Sequence, residues 1–248
     1  MKRYEAKRAV IIGGTSGMGL ATAKMLLDGG ARVLVTGRSQ AGLESAQKEL
    51  GDGAVVVASD ARSLTDIDAL AARVKAEFGT FDVLFVNAGL GLFAPLENTT
   101  EAMYDEMFNL NAKGPFFAVQ KLAPLIGSGG AVVLTTSIAN VKGMPAIAAY
   151  GAAKAALRSF ARVFAAELLP RGIRVNAVSP GPIDTPIIGK AFPDKATADH
   201  FSAQMREANP MKRFGTSEEV AKAVLFLAFD ATYTTGAELP VDGGLSQL

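Results

Sequence analysis

The chain has 248 residues and a formal net charge of +1. Because no run of like charges breaks this balance, the sequence excludes the basic surface that nucleic-acid-binding and anionic-membrane-binding proteins present. The absence of cysteine excludes disulfides and thiolate metal sites, and the single histidine excludes a histidine-rich metal centre.

The length and the high hydrophobic content suit one large domain, which we expect to span residues 1–248. No stretch approaches the roughly 18 consecutive apolar residues that a membrane-spanning helix needs. The start of the chain lacks the apolar core of a signal peptide. We therefore expect a cytoplasmic protein with no membrane, nucleic-acid or metal partner.

Short apolar runs alternate with helical patterns along the whole chain. Seven runs barely alternate between apolar and polar residues, which is typical of strands buried on both faces; they begin near residues 8, 31, 53, 82, 131, 173 and 237. Longer patterns predict helices at 17–28, 40–50, 64–78, 101–126, 150–169 and 217–229. This alternation predicts an α/β fold, a doubly wound parallel sheet with helices on both faces.

Two features of the helices and loops are predicted separately. Ser63 and either Thr216 or Ser217 are expected to be helix N-caps. The residues from about 182 to 210 are expected to form one long irregular insertion, which would act as a substrate lid.

Three glycines follow the first predicted strand and open the first predicted helix. Gly13, Gly17 and Gly19 would let the backbone approach a pyrophosphate, and the helix N-terminus would supply amide donors. A glycine cluster alone is weak evidence for a nucleotide, but its position between strand and helix strengthens the prediction.

A proton-transfer group is predicted at the start of the fifth helix. Tyr150 and Lys154 are four residues apart and therefore share a helix face. An adjacent ammonium favours the phenolate, so we expect the pKa of Tyr150 to be lowered. Ser137, at the end of the fifth predicted strand, can offer a hydroxyl to the same substrate oxygen. From this stretch alone, an ordinary surface pair on a helix remains an equal alternative.

Six motifs in order carry a resemblance to a known family. The glycine loop, NAG at 87–89, Asn111, Ser137, Tyr150 with Lys154, and the run PGPIDT that ends at Thr185 resemble the short-chain dehydrogenase/reductase family in its compact single-domain form. The resemblance covers essentially the whole chain. It implies a Rossmann fold with strand order 3-2-1-4-5-6-7 and a nicotinamide dinucleotide across the carboxyl ends of the strands.

The resemblance also implies which residues bind the cofactor. They are Gly13, Thr15, Ser16, Gly17, Met18 and Gly19 at the pyrophosphate, Asp60 and Ala61 at the adenine, Asn87, Ala88 and Gly89 at the adenosine ribose, Tyr150 and Lys154 at the nicotinamide ribose, and Pro180, Gly181, Ile183 and Thr185 at the nicotinamide amide.

The end of the second strand indicates which dinucleotide is preferred. An acid there would accept the ribose hydroxyls of NAD, but this chain has Gly37 followed by Arg38. Arg38, helped by Ser39, can pair with a 2′-phosphate through charge-assisted hydrogen bonds. We therefore expect NADP(H) to be preferred over NAD(H); the alternative is a solvated loop arginine. Ser16 stands where some NADP-dependent members carry a second basic residue.

The catalytic roles follow from the resemblance. Ser137 and Tyr150 would bind the carbonyl oxygen, Tyr150 would transfer the proton, and Lys154 would stabilise the phenolate. Asn111 would anchor a water relay that reprotonates the site through Lys154. From the residues alone Asn109 is as good a candidate as Asn111, and only the family motif selects Asn111.

The residues expected around the substrate are almost all apolar. They are Leu90, Leu92, Phe93, Ile138, Val141, Met144, Ile187, Ile188, Phe192, Phe201 and Met205. Since none is an arginine, we expect a neutral, fairly hydrophobic ketone, aldehyde or secondary alcohol. The predicted function is an NADPH-dependent carbonyl reductase. The alternatives are a 3-oxoacyl-[acyl-carrier-protein] reductase and a non-catalytic dinucleotide-sensing protein.

The resemblance further implies a homotetramer. One interface would involve the two long helices that carry Phe116, Phe117, Phe160 and Phe164, and the C-terminal strand would form a second interface.

Overall fold

The computed structural model describes residues 2–185 and 194–248. Within them, seven strands form one sheet: β1 Arg8–Ile12, β2 Arg32–Gly37, β3 Ala54–Ala58, β4 Phe81–Val86, β5 Ile126–Thr135, β6 Arg174–Pro180 and β7 Glu238–Val241. Every neighbouring pair is parallel, and the order is 3-2-1-4-5-6-7. The predicted Rossmann fold is confirmed.

Eight α-helices connect these strands in the described part of the chain. They are α1 Gly17–Asp28, α2 Gln40–Leu50, α3 Leu64–Phe78, α4 Glu101–Phe108, α5 Gly114–Leu122, α6 Ala148–Leu168, α7 Lys195–Ala208 and α8 Ser217–Leu225. The predicted bounds of the first three helices are confirmed. No helix among these residues has the length and hydropathy that a bilayer crossing requires.

The helix predicted over 101–126 is interrupted. A π-helical turn, Asn109–Lys113, separates α4 from α5. The helix also ends early at Leu122. Pro124 lacks an N–H group, and its ring would clash with the preceding turn if the α-helix continued. Strand β5 therefore begins at Ile126, ahead of the predicted start at Ala131.

The prediction of one irregular insertion over 182–210 was wrong, because α7 lies within it. The Asp194 carboxylate caps this helix by accepting from the Thr197 N–H at 2.8 Å. This Asp before a helix-favouring run is a helix-start signal that the sequence analysis overlooked. Three predicted pocket residues, Ile187, Ile188 and Phe192, lie outside the described residues.

The hydrophobic core has two halves, one on each face of the sheet. Val10 and Leu84 pack with apolar residues of α3, α5 and α6, whereas Ile11 and Phe85 pack on the opposite face with residues of α1 and α8. Successive strand residues alternate between faces that are both buried. This explains why the strands show so little alternation in hydropathy.

The parallel arrangement brings four strand ends to one edge of the sheet. β1, β4, β5 and β6 end there at Ile12, Val86, Thr135 and Pro180. The glycine loop, the NAG motif and Ser137 follow the first three ends, and the rest of PGPIDT follows the fourth. The strand order reverses between β1 and β4, which is the position where open α/β sheets bind their ligands.

The start of α8 gives a test of the local structure. Thr216, not Ser217, is the N-cap: its hydroxyl accepts from the Glu219 N–H at 3.3 Å, and the Glu219 carboxylate accepts from the Thr216 N–H at 2.8 Å. We expect Thr216→Ala to lower the free energy of unfolding by about 1 kcal/mol in urea denaturation. Ser217→Ala, the matched control, should change it by less than about 0.5 kcal/mol. Equal losses would contradict the assigned cap.

Candidate active site

The glycine loop is packed against the end of β4. Gly13 and Gly17 have φ of +78° and +53°, which favours glycine at both positions. A Cβ on Gly13 would lie 2.7 Å from the Ala88 Cα, and a Cβ on Gly19 would lie 2.1 Å from the Gly13 carbonyl oxygen. A side chain at Gly13 or Gly19 is therefore excluded by sterics.

The start of α1 fits the pyrophosphate of a dinucleotide. Ser16 is the N-cap, but its side chain makes no capping hydrogen bond, and the first turn contains no acidic residue. The first N–H groups of the helix are therefore available to an anion, with the helix dipole favouring negative charge. Thr15 lies beside the end of β2, since a Cβ on Gly37 would be 2.5 Å from its hydroxyl oxygen.

Hydrogen bonds tie the strand ends to the glycine loop. The Asn87 amide donates to the Gly13 carbonyl at 2.9 Å, and the Thr135 hydroxyl donates to the Asn87 side-chain oxygen at 3.2 Å. These two hydrogen bonds therefore link the ends of β1, β4 and β5.

Arg38 and Asp60 follow the ends of β2 and β3, at the sheet edge where the glycine loop lies. Arg38 is exposed, and within residues 2–185 and 194–248 it has neither a hydrogen-bond nor an ion-pair partner. Ser39 accepts from the Gly42 N–H at 3.2 Å and caps α2. Hydrogen bonds from Arg62 hold the pKa of Asp60 below its usual value, and the charge of Arg38 acts in the same direction. An unpaired guanidinium thus lies near Asp60.

Three of the four predicted catalytic side chains converge after β5. The Ser137 hydroxyl oxygen accepts from the Ala139 N–H at 3.2 Å, and the interaction of its side chain with the Tyr150 phenol acts to lower the pKa of that phenol. The Lys154 Nζ lies 5.8 Å from the centre of the Tyr150 ring and donates to the Thr135 carbonyl at 2.7 Å. Lys154 is almost fully buried, with 3% of its surface exposed.

In the protein without cofactor or substrate, the pKa of Tyr150 is shifted in the direction opposite to the prediction. Burial raises the pKa of the phenol, and the hydrogen bond with Ser137 offsets this only in part. The Lys154 ammonium was expected to stabilise the phenolate, but it is itself destabilised, because burial lowers the pKa of Lys154 to about 8. Desolvation, which the sequence does not reveal directly, outweighs the attraction of the pair.

The fourth predicted catalytic residue, Asn111, lies in the π-helical turn and is fully buried. Its side chain donates to the Leu90 carbonyl at 2.9 Å and accepts from the Leu90 N–H at 3.1 Å. A Cβ on Gly89 would lie 2.8 Å from the Asn111 side-chain oxygen and 3.3 Å from the Lys154 Nζ. Asn111 and Lys154 therefore flank Gly89. Asn109, the alternative, is only half-buried.

The segment after β6 closes the opposite side of the cleft. Gly181 donates its N–H to the Val241 carbonyl at 3.0 Å. A Cβ on Gly17 would lie 3.4 Å from the Thr185 methyl group. The segment predicted to bind the nicotinamide amide thus borders the glycine loop.

A cleft of about 230 Å³ joins these groups. Its lining includes the predicted site residues Met18, Asn87, Gly89, Ser137, Tyr150, Lys154, Pro180, Gly181, Ile183 and Thr185, and the predicted substrate residues Leu90, Phe93, Ile138, Met144, Phe201 and Met205. Among the described residues, Lys154 is the one charged side chain in this lining.

Some residues of the cleft were predicted wrongly or missed. Leu92 and Val141 do not line it, and Val141 is 69% exposed. Leu245 lines the cleft although it is near the C-terminus, because the Lys142 Nζ donates to its carbonyl at 2.7 Å. Phe214, which follows α7, was also missed. Only tertiary packing brings these two residues to the cleft, so no local sequence signal indicated them.

Burial of Lys154 predicts a pH-dependent cost to stability. Its pKa is about 8 in the folded protein, against about 10.5 when the chain is unfolded. Between these values the unfolded chain binds more protons, so the Lys154 contribution to the free energy of unfolding rises with pH. The free energy of unfolding of wild type should therefore rise relative to that of Lys154→Met, by roughly 2 kcal/mol between about pH 7 and about pH 9.5.

Denaturant unfolding at both pH values measures this difference. Lys113→Met, at an exposed lysine of the π-helical turn, is the control and should show no comparable change. A constant difference between Lys154→Met and wild type would show that the ammonium pays no burial cost.

Comparison with known proteins agrees with the fold. A family model described as enoyl-(acyl carrier protein) reductase matches residues 13–246. The chain is 39% identical over 251 residues to oxidoreductase asL5 of Sarocladium schorii, covering 100% of this chain and 99% of that protein. It is 36% identical to the 3-oxoacyl-[acyl-carrier-protein] reductase FabG of Thermotoga maritima, covering 98% of this chain and 99% of FabG.

A solved structure extends the comparison. The crystal structure of levodione reductase superposes with a TM-score of 0.89 at 31% identity and covers 98% of this chain and 99% of its own. The chain therefore belongs to the short-chain dehydrogenase/reductase family of oxidoreductases, which use a nicotinamide dinucleotide.

Proposed function

We propose that this oxidoreductase is an NADPH-dependent carbonyl reductase, reversible as an alcohol dehydrogenase. Its substrates would be neutral, fairly hydrophobic ketones, aldehydes or secondary alcohols. The observation that carries the proposal is the convergence of Ser137, Tyr150 and Lys154 on an otherwise apolar cleft. The names of FabG and of levodione reductase also describe carbonyl reduction.

Tyr150 acts as the general acid in reduction and as the general base in oxidation. The Ser137 oxygen already accepts a backbone hydrogen bond, so its own proton is left to donate to Tyr150 or to a substrate oxygen. Both hydroxyls bind the carbonyl oxygen, and burial raises the pKa of the phenol, so the phenol carries the proton that it transfers. The phenol then transfers its proton as the oxygen becomes an alkoxide.

Lys154 and Asn111 restore the proton. With a pKa of about 8, the Lys154 ammonium can release and regain a proton close to neutral pH. Asn111 is fixed by Leu90 beside the same glycine, so it can order a water next to Lys154. Together they connect the phenol to solvent.

The glycine loop and the strand ends would hold the cofactor. The pyrophosphate would be bound by Gly13, Thr15, Ser16, Gly17, Met18 and Gly19, the 2′-phosphate by Arg38 and Ser39, the adenine by Asp60 and Ala61, the adenosine ribose by Asn87, Ala88 and Gly89, the second ribose by Tyr150 and Lys154, and the nicotinamide amide by Pro180, Gly181, Ile183 and Thr185. When bound, the nicotinamide would supply or accept the hydride.

The lining of the cleft supports the substrate class. Phe93 lies 6.0 Å from Tyr150 in an edge-to-face contact and 6.2 Å from Phe201, measured between ring centres. A hydrophobic carbonyl compound would bury apolar surface against these rings, whereas a carboxylate or phosphate would find no arginine in the described lining.

A 3-oxoacyl-[acyl-carrier-protein] reductase is the second candidate. The likeness to FabG favours it. Against it, the segment over 123–130 carries no charge to attract an acidic carrier protein. A non-catalytic dinucleotide sensor is less well supported, because such a protein would not need the Ser137, Tyr150 and Lys154 arrangement.

We also infer a homotetramer. Phe116 on α5 lies 5.4 Å from Phe160 on α6, and both rings are partly exposed. Val163, one turn further, is 49% exposed. This apolar face suits packing against a second copy. The single domain and the cytoplasmic location remain predictions.

Oxidation of NADPH and of NADH, followed by absorbance with a panel of carbonyl compounds, tests the function. The panel should include hydrophobic ketones, aldehydes, diketones and a 3-oxoacyl thioester. Turnover with NADPH and simple ketones supports a carbonyl reductase, and a strong preference for the thioester supports the second candidate. Binding of NADPH without any turnover would favour the sensor.

Removal of the Tyr150 hydroxyl tests the mechanism. Tyr150→Phe should reduce kcat by about 100-fold to 10,000-fold, because the general acid is lost. NADPH affinity, measured by fluorescence titration, should be retained. Tyr104→Phe, at an exposed tyrosine of α4, is the matched control and should keep wild-type turnover. Wild-type turnover in Tyr150→Phe would refute the mechanism.

Reversal of the charge at Arg38 tests the cofactor preference. Arg38→Asp should weaken NADPH binding by about 10-fold to 100-fold, since charge-assisted hydrogen bonds to the phosphate are lost and repulsion is added. NADH binding should be unchanged or improved. Arg73→Asp, on α3, controls for the change in net charge. Unchanged NADPH affinity in Arg38→Asp would overturn the assignment.

A further inference from the structure

A mostly buried ion pair lies behind the catalytic segment. The Arg158 Nε is 3.4 Å from the Glu238 carboxylate, and the two side chains are 15% and 13% exposed. Charges at such depth cost free energy unless their hydrogen bonds are satisfied. The hydrogen-bond partners of Arg158 and Glu238 therefore indicate the role of the ion pair.

The Glu238 carboxylate holds the chain on both sides of Ser137. It accepts hydrogen bonds from the Thr136 hydroxyl and, at 2.7 Å, from the Asn140 side-chain amide. Thr136 immediately precedes Ser137, and Asn140 ends the short 3₁₀ turn Ile138–Asn140 that follows it. One carboxylate oxygen on β7 thus joins the two sides of the segment that carries the catalytic hydroxyl.

Arg158 connects the same carboxylate to the catalytic helix. It follows Tyr150 and Lys154 at successive four-residue steps on α6, so the three share one side of the helix. Its guanidinium also donates to the Gly236 carbonyl at 2.9 Å. The ion pair therefore links α6, which carries Tyr150, to the segment that carries Ser137.

Glu238 also sets the orientation of Asn140. The Asn140 side-chain oxygen is buried and, in the described part of the chain, accepts no hydrogen bond. Rotation of the amide would point this oxygen at the Glu238 carboxylate, which repels it. Without Glu238 both ends of the amide would be unpaired, and the turn after Ser137 would be free to rearrange.

We propose that Glu238, paired with Arg158, is a positioning residue that fixes the Ser137 hydroxyl against the Tyr150 phenol. This rests on the proposed function in assigning chemistry to Ser137 and Tyr150. Glu238 acts through the backbone on either side of Ser137 and does not itself touch the substrate. Its loss should therefore lower kcat and leave NADPH affinity unchanged.

Two substitutions of Glu238 separate position from charge. Glu238→Ala removes the acceptor, so hydrogen exchange of the amides over 136–141 should rise and kcat should fall by about 10-fold to 100-fold. Glu238→Gln keeps an acceptor oxygen for Thr136 and Asn140. It should therefore restore most of the wild-type kcat and most of the wild-type protection from hydrogen exchange. Glu77→Gln breaks a more exposed pair with Arg73 on α3, away from the site, and serves as the control. Thr136→Val, which removes the contacts of the Thr136 hydroxyl with both Glu238 and the Val178 carbonyl, replaces Glu238→Ala if that variant does not fold.

A double-mutant cycle tests the coupling to Ser137. If Glu238 acts through Ser137, Glu238→Ala should reduce kcat far less in a Ser137→Ala background than in wild type. An equal fold-loss in both backgrounds, or unchanged exchange over 136–141, would overturn the proposal. If the parent reduces no carbonyl compound while Glu238→Ala still raises exchange and Glu238→Gln restores it, the proposed function fails and the positioning of the segment stands.

Discussion

The buried hydrogen bond from Lys154 to the Thr135 carbonyl is the contact on which the site depends. It fixes the catalytic helix α6 to the end of β5 and holds an amine where water has little access. The cost of burying that amine lowers its pKa to about 8. An apolar side chain at the position of Lys154 could stabilise the fold without the cost of burying a charge. Under the proposed function, the lowered pKa suits Lys154 to proton transfer beside the Tyr150 phenol.

The remaining contacts hold strand ends at one edge of the sheet. Asn87 links β4 to the glycine loop, and Thr135 links β5 to Asn87. Asn111 is fastened to the Leu90 backbone from the interrupted helix. Because both faces of the sheet are covered by helices, polar side chains collect where the strands end. The polar groups at the strand ends therefore border a cleft whose lining is otherwise mostly apolar.

Much of this could be predicted from the sequence because the signals are local. The bounds of α1 to α3 follow from periodicity and caps, and the sheet order from the family motifs. The sequence pattern predicted one irregular insertion and missed α7, although Asp194 marks the start of this helix. The pKa of Tyr150 was predicted in the wrong direction because sequence spacing shows a neighbouring charge but not burial. Leu245 and Glu238 reach the site through tertiary packing alone.

Hydride transfer between the nicotinamide and a carbonyl carbon is the step that defines this function. NADPH deuterated at both C4 positions, incubated with the protein and a hydrophobic ketone, gives a direct measurement by mass spectrometry of the alcohol. The structure predicts one deuterium on the carbinol carbon of each product molecule. Consumption of NADPH without alcohol, or an alcohol without deuterium at that carbon, would contradict the mechanism.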